Sequence, residues 1–136
     1  MAFAMNDALK SAILLNAITL MAGTSGTAGT ASLSIRAGDQ PSAESAGTGG
    51  TLCVISNIGW NTATAGTSAL AGTAFVGTAG STGAAGWARL ECINTSGTCR
   101  IDGDVGTAGT NTFTINVNSI VEDGEVTLTA ANLYLA

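Results

Sequence analysis

The chain has 136 residues and a formal net charge of −5, contains no histidine, and is 46% apolar but only 4% aromatic and 10% charged. Without histidine it lacks the commonest general base and the commonest metal ligand, so we expect neither an enzyme nor a bound metal or other cofactor. Its acidity and its lack of a basic run disfavour nucleic acid and anionic membranes as partners.

The first predicted element is an N-terminal helix. Asn6 can cap it, Asp7 suits its positive end, and Gly23 is well placed to end it. The stretch "SAILLNAITLMAG" resembles the apolar core of a signal peptide, but the residues before it are not basic. It is also interrupted by Asn16 and shorter than the roughly 20 residues that span a bilayer. We therefore expect a helix of the mature protein.

The surface of this helix changes along its length. The first half is two-sided, with one face formed by Asp7, Lys10 and Ser11 and another by Leu9 and Ile13. The second half is apolar nearly all round, through Ile13, Leu14, Ala17, Ile18, Leu20 and Met21. Such a helix must be covered on more than one side. It either packs wholly within its own domain or meets another subunit, which makes Leu14, Ile18 and Met21 candidate interface residues.

A Gly/Thr linker follows the helix and divides the chain into two parts. Residues 1–30 hold the helix and the linker "GTSGTAGT", and residues 31–136 are expected to form a β-sandwich domain. In that domain "ASLSIRAG", "TFTINVN" and "EVTLTA" alternate apolar and polar residues, as strands with one wet face do. The runs "TLCVIS" and "TAFVG" are consistent with inner strands, and "EDGE" (122–125) predicts a tight turn.

The expected fold is mainly β, with one N-terminal α-helix. The pattern gives six to eight strands after the helix. A single open sheet of that size would leave long unpaired edges and one bare face. The pattern therefore predicts a two-sheet antiparallel sandwich.

The stretch "RLECINTSGTCRID" (89–102) predicts a hairpin with "NTSG" as its loop. Pairing across that loop places apolar and thiol side chains on the core-facing side, as Ala88–Gly103, Leu90–Ile101 and Cys92–Cys99. The same pairing places two opposite-charge pairs on the other side, Arg89–Asp102 and Glu91–Arg100. Because a one-residue slip would turn every side chain to the wrong face, the charges and the hydrophobic pattern support the same register.

The paired cysteines raise the question of redox or metal chemistry. Their spacing of seven is not the C-x-x-C of a thioredoxin-like site, and Cys53 could add only one more zinc ligand to them. We expect Cys92 and Cys99 to be neighbouring buried thiols in a reducing compartment, with a cross-strand disulfide as the alternative. The "DGD" of 102–104 indicates a strand end and turn rather than a calcium loop, and the "NTS" of 94–96 is a hairpin loop or a weak match to a glycosylation acceptor.

Trp87 falls on the outward face of the first hairpin strand, beside Arg89. An outward tryptophan near an arginine is typical of protein contacts, so both residues are candidate interface residues. The alternative is a ring that lies flat on the sheet. Trp60, in "NIGWNTA", is expected at a strand end.

Four segments in a fixed order resemble small structural proteins of tailed bacteriophages. They are "LSIRAGDQPSAESAGTGGTL", "GTAFVGTAGSTGAAGWARL", "TSGTCRIDGDVG" and "INVNSIVEDGEVTLT", within residues 31–130. The words around "GWARL" and "DGDVG", and their order, are the specific part of the resemblance. Proteins of this kind look like capsid cement or decoration proteins with a β-sandwich of jelly-roll type, which implies the same fold here and no catalytic residues.

The expected function is that of a non-enzymatic virion protein that binds the outside of an assembled capsid and stabilises it. The implied partners are the major capsid protein and further copies of this chain, as a dimer or trimer, on the capsid exterior after assembly in the host cytoplasm. The alternatives are a subunit of a tail, neck or host-binding fibre, and a carbohydrate-binding module. A carbohydrate-binding module usually needs an aromatic platform, and six scattered aromatic residues make a poor one.

Overall fold

A computed structural model describes residues 4–20, 31–42, 45–59, 67–69, 75–94 and 97–134. In chain order the described elements are α1 (Asp7–Leu20), β1 (Ala31–Arg36), β2 (Thr51–Ile58), β3 (Thr67–Ala69), β4 (Phe75–Thr78), β5 (Gly83–Ala84), β6 (Trp87–Asn94), β7 (Gly97–Gly106), β8 (Phe113–Ile115), β9 (Ser119–Ile120) and β10 (Glu125–Tyr134). A helix followed by short strands confirms the predicted mainly β class. The predicted division at residue 30 falls next to residues outside the described ranges and stays a prediction.

The start of α1 is capped as the sequence predicts. The side-chain Oδ1 of Asn6 accepts a hydrogen bond from the amide of Leu9 at 2.9 Å, and the carbonyl of Asn6 accepts one from the amide of Lys10 at 3.1 Å. The side-chain bond satisfies one of the first helical amides, which have no partner within the helix, and Asp7 adds negative charge to the first turn. Gly23, the predicted end of the helix, lies outside the described residues.

Most of the strands join one large sheet with the order β2-β1-β6-β7-β8-β10-β3, and β4 also pairs with β10. The first strand of this order meets the region of β4, because Cys53 of β2 forms an isolated β-bridge with Ala79, the residue just after β4. Beside that bridge, the amide of Gly80 donates to the carbonyl of Leu52 at 2.9 Å. The large sheet therefore curls into a nearly closed barrel.

This architecture differs from the predicted two-sheet antiparallel sandwich in two ways. The large sheet is mixed, since β7 and β8 pair in parallel through Val105–Phe113 and Gly106–Thr114. The second sheet in the described part of the chain is only a short ribbon of β5 and β9. The predicted jelly-roll arrangement is not confirmed.

The parallel pairing of β7 with β8 has a local cause, the side chain of Asp104. Its Oδ1 accepts hydrogen bonds from the amide and the hydroxyl of Thr112, at 3.1 and 2.6 Å, and its Oδ2 accepts one from Nδ2 of Asn111 at 2.7 Å. These bonds fold the connection of residues 107–112 back against the strand that it has just left. Parallel neighbours usually need a crossover of a dozen residues or more, and here a six-residue connection is enough because Asp104 anchors it.

The core lies inside the curl of the large sheet. Many inward-facing strand residues are at most 1% exposed, among them Leu33, Ile35, Phe113, Ile115, Val126 and Leu128. These positions confirm the alternation read from the sequence. Thr114 is an exception: it was expected on a wet face but is buried, and its hydroxyl donates to the carbonyl of Ala108 at 3.3 Å. The connection that Asp104 folds back covers this second face of β8.

The hairpin of β6 and β7 has the predicted register. All eight rungs are formed, from Trp87–Asp104 at the base to Asn94–Gly97 at the tip. Leu90–Ile101 is a core-facing rung, and Cys92 and Cys99 are backbone partners in the same register. Because Asn94 and Gly97 also pair, the connection is two residues shorter than the expected four-residue loop.

A tight turn forms at residues 121–124, one residue earlier than the predicted 122–125. Asp123 has a φ of +65°, in the left-handed region that aspartate tolerates better than most residues. The amide of Gly124 donates to the carbonyl of Val121 at 2.9 Å and closes the turn. The amide of Asp123 donates to the carbonyl of Ala79 at the same distance, so the turn is fixed to the segment after β4.

Candidate functional site

The outer face of β1, β6 and β7, on the side of the sheet away from the core, holds two rows of polar and aromatic residues. The first row, in strand order, is Arg36, Trp87 and Asp104. The second row is Ser34, Arg89 and Asp102. Both rows follow from the register, because the intervening residues of each strand face the core.

Arg89 and Asp102 form a bidentate ion pair on this face. The Nε–Oδ1 and Nη2–Oδ2 distances are 2.7 and 2.8 Å, and Nη1 of Arg89 donates to the carbonyl of Ser45 at 2.9 Å. The side chains of the pair are only 4% and 2% exposed. The hydrogen bonds to Asp102 raise the pKa of Arg89 further above its ordinary value, which keeps the guanidinium charged in spite of its burial.

Two guanidinium groups lie over the ring of Trp87. The Cζ of Arg36 is 5.9 Å from the centroid of its ring and the Cζ of Arg89 is 5.3 Å away, both within the range of a cation–π interaction. The Trp87 side chain is 1% exposed. The three residues therefore form one cluster, which brings together two of the four basic residues in the chain.

A loop covers this cluster from outside. We call residues 37–42 and 45–50 the flap; its two ends meet where the amide of Ala37 donates to the carbonyl of Gly50 at 3.1 Å. Gly38 and Gly49 have φ values of +82° and +72°, a backbone conformation that favours glycine. The flap contacts the sheet through Ser45, which binds Arg89, and through Gly49, whose carbonyl accepts a hydrogen bond from Nη1 of Arg36 at 3.2 Å.

The flap overturns the expectation that Trp87 and Arg89 form an exposed interface. Both residues lie on the predicted face of the strand, but both are buried by a segment from elsewhere in the chain. Their burial agrees with the alternative, a tryptophan ring that lies on the sheet. A signal was present in the sequence: a glycine-rich stretch starts directly after Arg36, the register partner of Trp87.

The structure describes the side chain of one of the three candidate interface residues in the helix. Leu14, predicted at an interface, is 4% exposed and belongs to the core of its own chain. The side chain of Ile18 and all of Met21 lie outside the described residues, so their predicted contacts stay predictions. The helix thus packs into its own domain through Leu14.

The exposed surface of α1 is mostly apolar, although Asp7 and Asn16 are also exposed. Leu9 and Ile13, one turn apart, are 48% and 43% exposed, and Leu15 is 43% exposed. Lys10 and Ser11, from the face that the sequence marks as polar, are half-buried instead. The helix therefore leaves large apolar side chains to solvent, while the apolar Leu14 is the side chain that enters the core. Of the predicted polar face, Asp7 is exposed and Lys10 and Ser11 are half-buried, so the two predicted faces do not divide cleanly into one outward and one inward side.

The remaining candidate groups are the three cysteines and the aspartates of the "DGD" segment. The Cys53 thiol is buried, and burial raises its pKa, which keeps it protonated and unreactive. Cys92 and Cys99 are backbone neighbours across the hairpin, but their side chains lie outside the described set, so thiols or a disulfide both stay open. Asp102 and Asp104 hold Arg89 and the 107–112 connection respectively.

Two further properties concern ligands and membranes. Within the described ranges, no three His, Cys, Asp or Glu side chains group as metal ligands would. No helix in that same part of the chain is long and apolar enough to cross a membrane. In comparisons with known proteins, the chain matches no protein-family model, no curated protein and no solved structure.

Proposed function

We propose that this chain is a non-enzymatic virion structural protein that binds the surface of an assembled capsid and stabilises it. The observation that carries the proposal is the outward apolar face of α1. Leu9 and Ile13 are nearly half exposed, while Leu14 enters the core. A surface helix with this orientation is costly in isolation and becomes favourable when a partner covers it.

The size of the surface favours a repeated contact over an isolated pair. A helix of 14 residues is about 21 Å long at 1.5 Å per residue. One face of it is well below the roughly 800 Å² per partner of a stable protein–protein interface. A capsid offers the same contact at many sites, and binding to the assembled shell alone stabilises that shell by mass action.

The β body and the sequence resemblance support the same proposal. Segments of residues 31–130 resemble those of capsid cement and decoration proteins, and the described strands within them share one continuous core. The jelly-roll arrangement of such proteins, the location on the capsid exterior and the assembly in host cytoplasm belong to this proposal. So do the partners: the major capsid protein and further copies of this chain, without nucleic acid or membrane.

The test is attachment to particles. In the double variant Leu9→Ser/Ile13→Ser the copy number per particle should fall at least tenfold, while the circular dichroism spectrum and the unfolding midpoint stay near those of the unchanged protein. The matched control is Val54→Ser/Val76→Ser, which alters two exposed apolar residues of the β body, 46% and 52% exposed. Quantitative gels and electron-microscopy maps of purified virions measure the copy number per particle for the helix variant and for the control.

The possible results separate the proposal from its alternatives. If the helix variant still decorates capsids fully, α1 is not the contact. If the unchanged protein is found on tails, necks or fibres, the alternative of a tail, neck or fibre subunit replaces the proposal. Absence of the protein from particles altogether rejects both.

A further inference from the structure

Two aspartates of the chain are followed directly by glycine, at Asp102–Gly103 and at Asp123–Gly124. An aspartate in this position can react with its own main chain, because glycine has no side chain that would keep the next amide nitrogen away from the carboxyl group. The two segments have very different surroundings, since one lies within β7 and the other in the turn before β10. The difference points to covalent modification at one of them and protection of the other.

The sheet holds Asp102–Gly103 in place. In β7 these two residues pair with Arg89 and Ala88 of β6. Both carboxylate oxygens of Asp102 accept hydrogen bonds from Arg89, and this side chain is 2% exposed. Gly103 is buried, and a Cβ atom there would lie 2.8 Å from Cγ2 of Thr112. Rotation of the Asp102 carboxyl group toward the nitrogen of Gly103 would therefore break a buried ion pair.

Asp123–Gly124 lies in an exposed turn instead. Asp123 is exposed, and its φ of +65° is a conformation that residues other than glycine adopt at a cost. The amide of Gly124 donates to the carbonyl of Val121 at 2.9 Å, and Val121 is 63% exposed. Water can replace this hydrogen bond at the surface, so its loss leaves no buried group without a partner.

We propose that Asp123 is a site of spontaneous isomerisation to isoaspartate. The nitrogen of Gly124 bonds to Cγ of Asp123, and the hydroxyl of the protonated carboxyl group leaves with the amide proton as water, which closes a five-membered succinimide ring. A water molecule then opens the ring. Attack on the original main-chain carbonyl breaks its bond to the nitrogen, so the main chain runs through Cγ and is one methylene longer. Attack on the other carbonyl restores aspartate, and neither product differs in mass from the starting chain.

The modification would disturb the contacts of the turn with the segment after β4. The amide of Asp123 donates to the carbonyl of Ala79, and the amide of Glu122 donates to the hydroxyl of Thr82, both at 2.9 Å. An added methylene at residue 123 shifts these donors relative to their acceptors, and it also releases the strained φ. The modified chain should therefore unfold at a lower temperature. This site does not depend on the proposed contact through α1.

The experiment compares the two aspartates within one sample. The full chain is kept at 37 °C for several weeks, folded in buffer or unfolded in concentrated urea, and then digested. Electron-transfer fragmentation of the peptides distinguishes isoaspartate from aspartate in spite of their equal mass. In the folded chain, isoaspartate should accumulate at residue 123 at least tenfold faster than at residue 102. In urea, where both segments lose their structure, the two rates should agree within about threefold.

Two variants test the chemistry of the turn. Asp123→Gly removes the carboxyl group and suits a positive φ, so it should abolish the modification and keep the unfolding midpoint constant during the incubation. Asp123→Asn also tolerates this conformation. It should close the same ring with loss of ammonia, and the resulting gain in mass should appear several-fold faster than isoaspartate in the unchanged chain.

Each result decides for or against the site. Modification of residue 123 with residue 102 protected, in the folded chain alone, supports it. Equal rates at the two positions in the folded chain overturn it, as does an unmodified residue 123 after the full incubation. A folded Asp123→Asn variant that keeps its original mass would show that the turn holds the nitrogen of Gly124 away from the side chain, and this result also overturns the site.

Discussion

Two opposite-charge pairs occupy the same face of one hairpin and have very different surroundings. The Nε–Oδ1 distance of Arg89 and Asp102 is 2.7 Å, and the side chains are 4% and 2% exposed. The Nε–Oε2 distance of Arg100 and Glu91 is 3.1 Å, and both side chains are 35% exposed. The register explains why both pairs form. The flap, which contacts Arg89 through Ser45, explains why only one of them is buried.

The comparison shows that the hairpin register decides which charges pair. The flap, a different part of the chain, decides whether a pair is buried and so how strongly its loss affects stability. An exposed pair gains little, because solvent screens the charges and two long side chains lose freedom. A buried pair loses hydration, and removal of one partner leaves a charge with no compensation. Disrupting the buried Arg89–Asp102 pair is therefore costly, whether or not the pair adds net stability. The pair also helps to specify where the flap lies.

The largest effect is expected from Asp102→Ala. The buried Arg89 guanidinium would lose its bidentate partner, and the free energy of unfolding should fall by about 3–5 kcal/mol. Urea denaturation followed by circular dichroism measures this, with Glu91→Ala, in the exposed pair, as the matched control. A loss below about 1 kcal/mol would show that Arg89 reaches solvent at little cost when the flap moves.

A double replacement sharpens this result. Arg89→Met/Asp102→Leu removes both charges and should recover most of the loss, since apolar residues of similar volume commonly replace a buried pair without penalty. If the free energy of unfolding does not recover in the double variant, the hydrogen bond from Arg89 to Ser45 is needed to hold the flap.

A smaller effect is expected at Asp104, two residues from Asp102 on the same strand. Hydrogen bonds from Thr112 and then Asn111 hold the pKa of its carboxyl below the ordinary value. A pKa lowered by folding contributes stability above the pKa of the unfolded chain, near 3.9, and that contribution is lost as the pH falls through the folded value. Asp104→Asn should cost about 1 kcal/mol at neutral pH, since the carboxylate is exposed and partly screened.

The pH dependence distinguishes this role from a simple packing defect. With Asp104→Asn, the decline of stability below about pH 4 should become shallower, because the group that takes up a proton on unfolding is gone. Urea denaturation from pH 3 to 7 shows this. An unchanged slope would mean that the hydrogen bonds to Asp104 do not stabilise its charged form.

The hairpin shows how far the sequence predicts this fold. Alternating apolar residues and two opposite-charge pairs fix the register of β6 and β7. Both patterns are local in sequence, and any other register would disrupt both of them at once. The cap at Asn6 and the turn at Asp123 are predictable for the same reason. Each depends on residues within a few positions of one another.

The features that sequence could not give all depend on distant segments. Trp87 and Arg89 lie on the predicted face, but their burial depends on a flap that begins some fifty positions earlier. The orientation of α1 was open, since both of its sides carry apolar residues and only Leu14 is seen to enter the core. The parallel pairing of β7 with β8 depends on the hydrogen bonds to the Asp104 side chain. Hydrophobic periodicity does not reveal such bonds.

The smallest effect is expected from the exposed pair, and it tests the comparison directly. A double-mutant cycle with Glu91→Ala and Arg100→Ala should give a coupling of about 0.2–1 kcal/mol, because both side chains are one-third exposed and joined by a 3.1 Å contact. In 1 M salt, where the screening length is about 3 Å, this coupling should nearly vanish. The equivalent cycle on Arg89 and Asp102 should keep most of its larger coupling in the same salt, since burial shields that pair from counterions. If the coupling energy between Glu91 and Arg100 exceeded about 2 kcal/mol, or persisted in 1 M salt, these two side chains would have to be buried in solution. The flap would then no longer account for the difference between the two pairs.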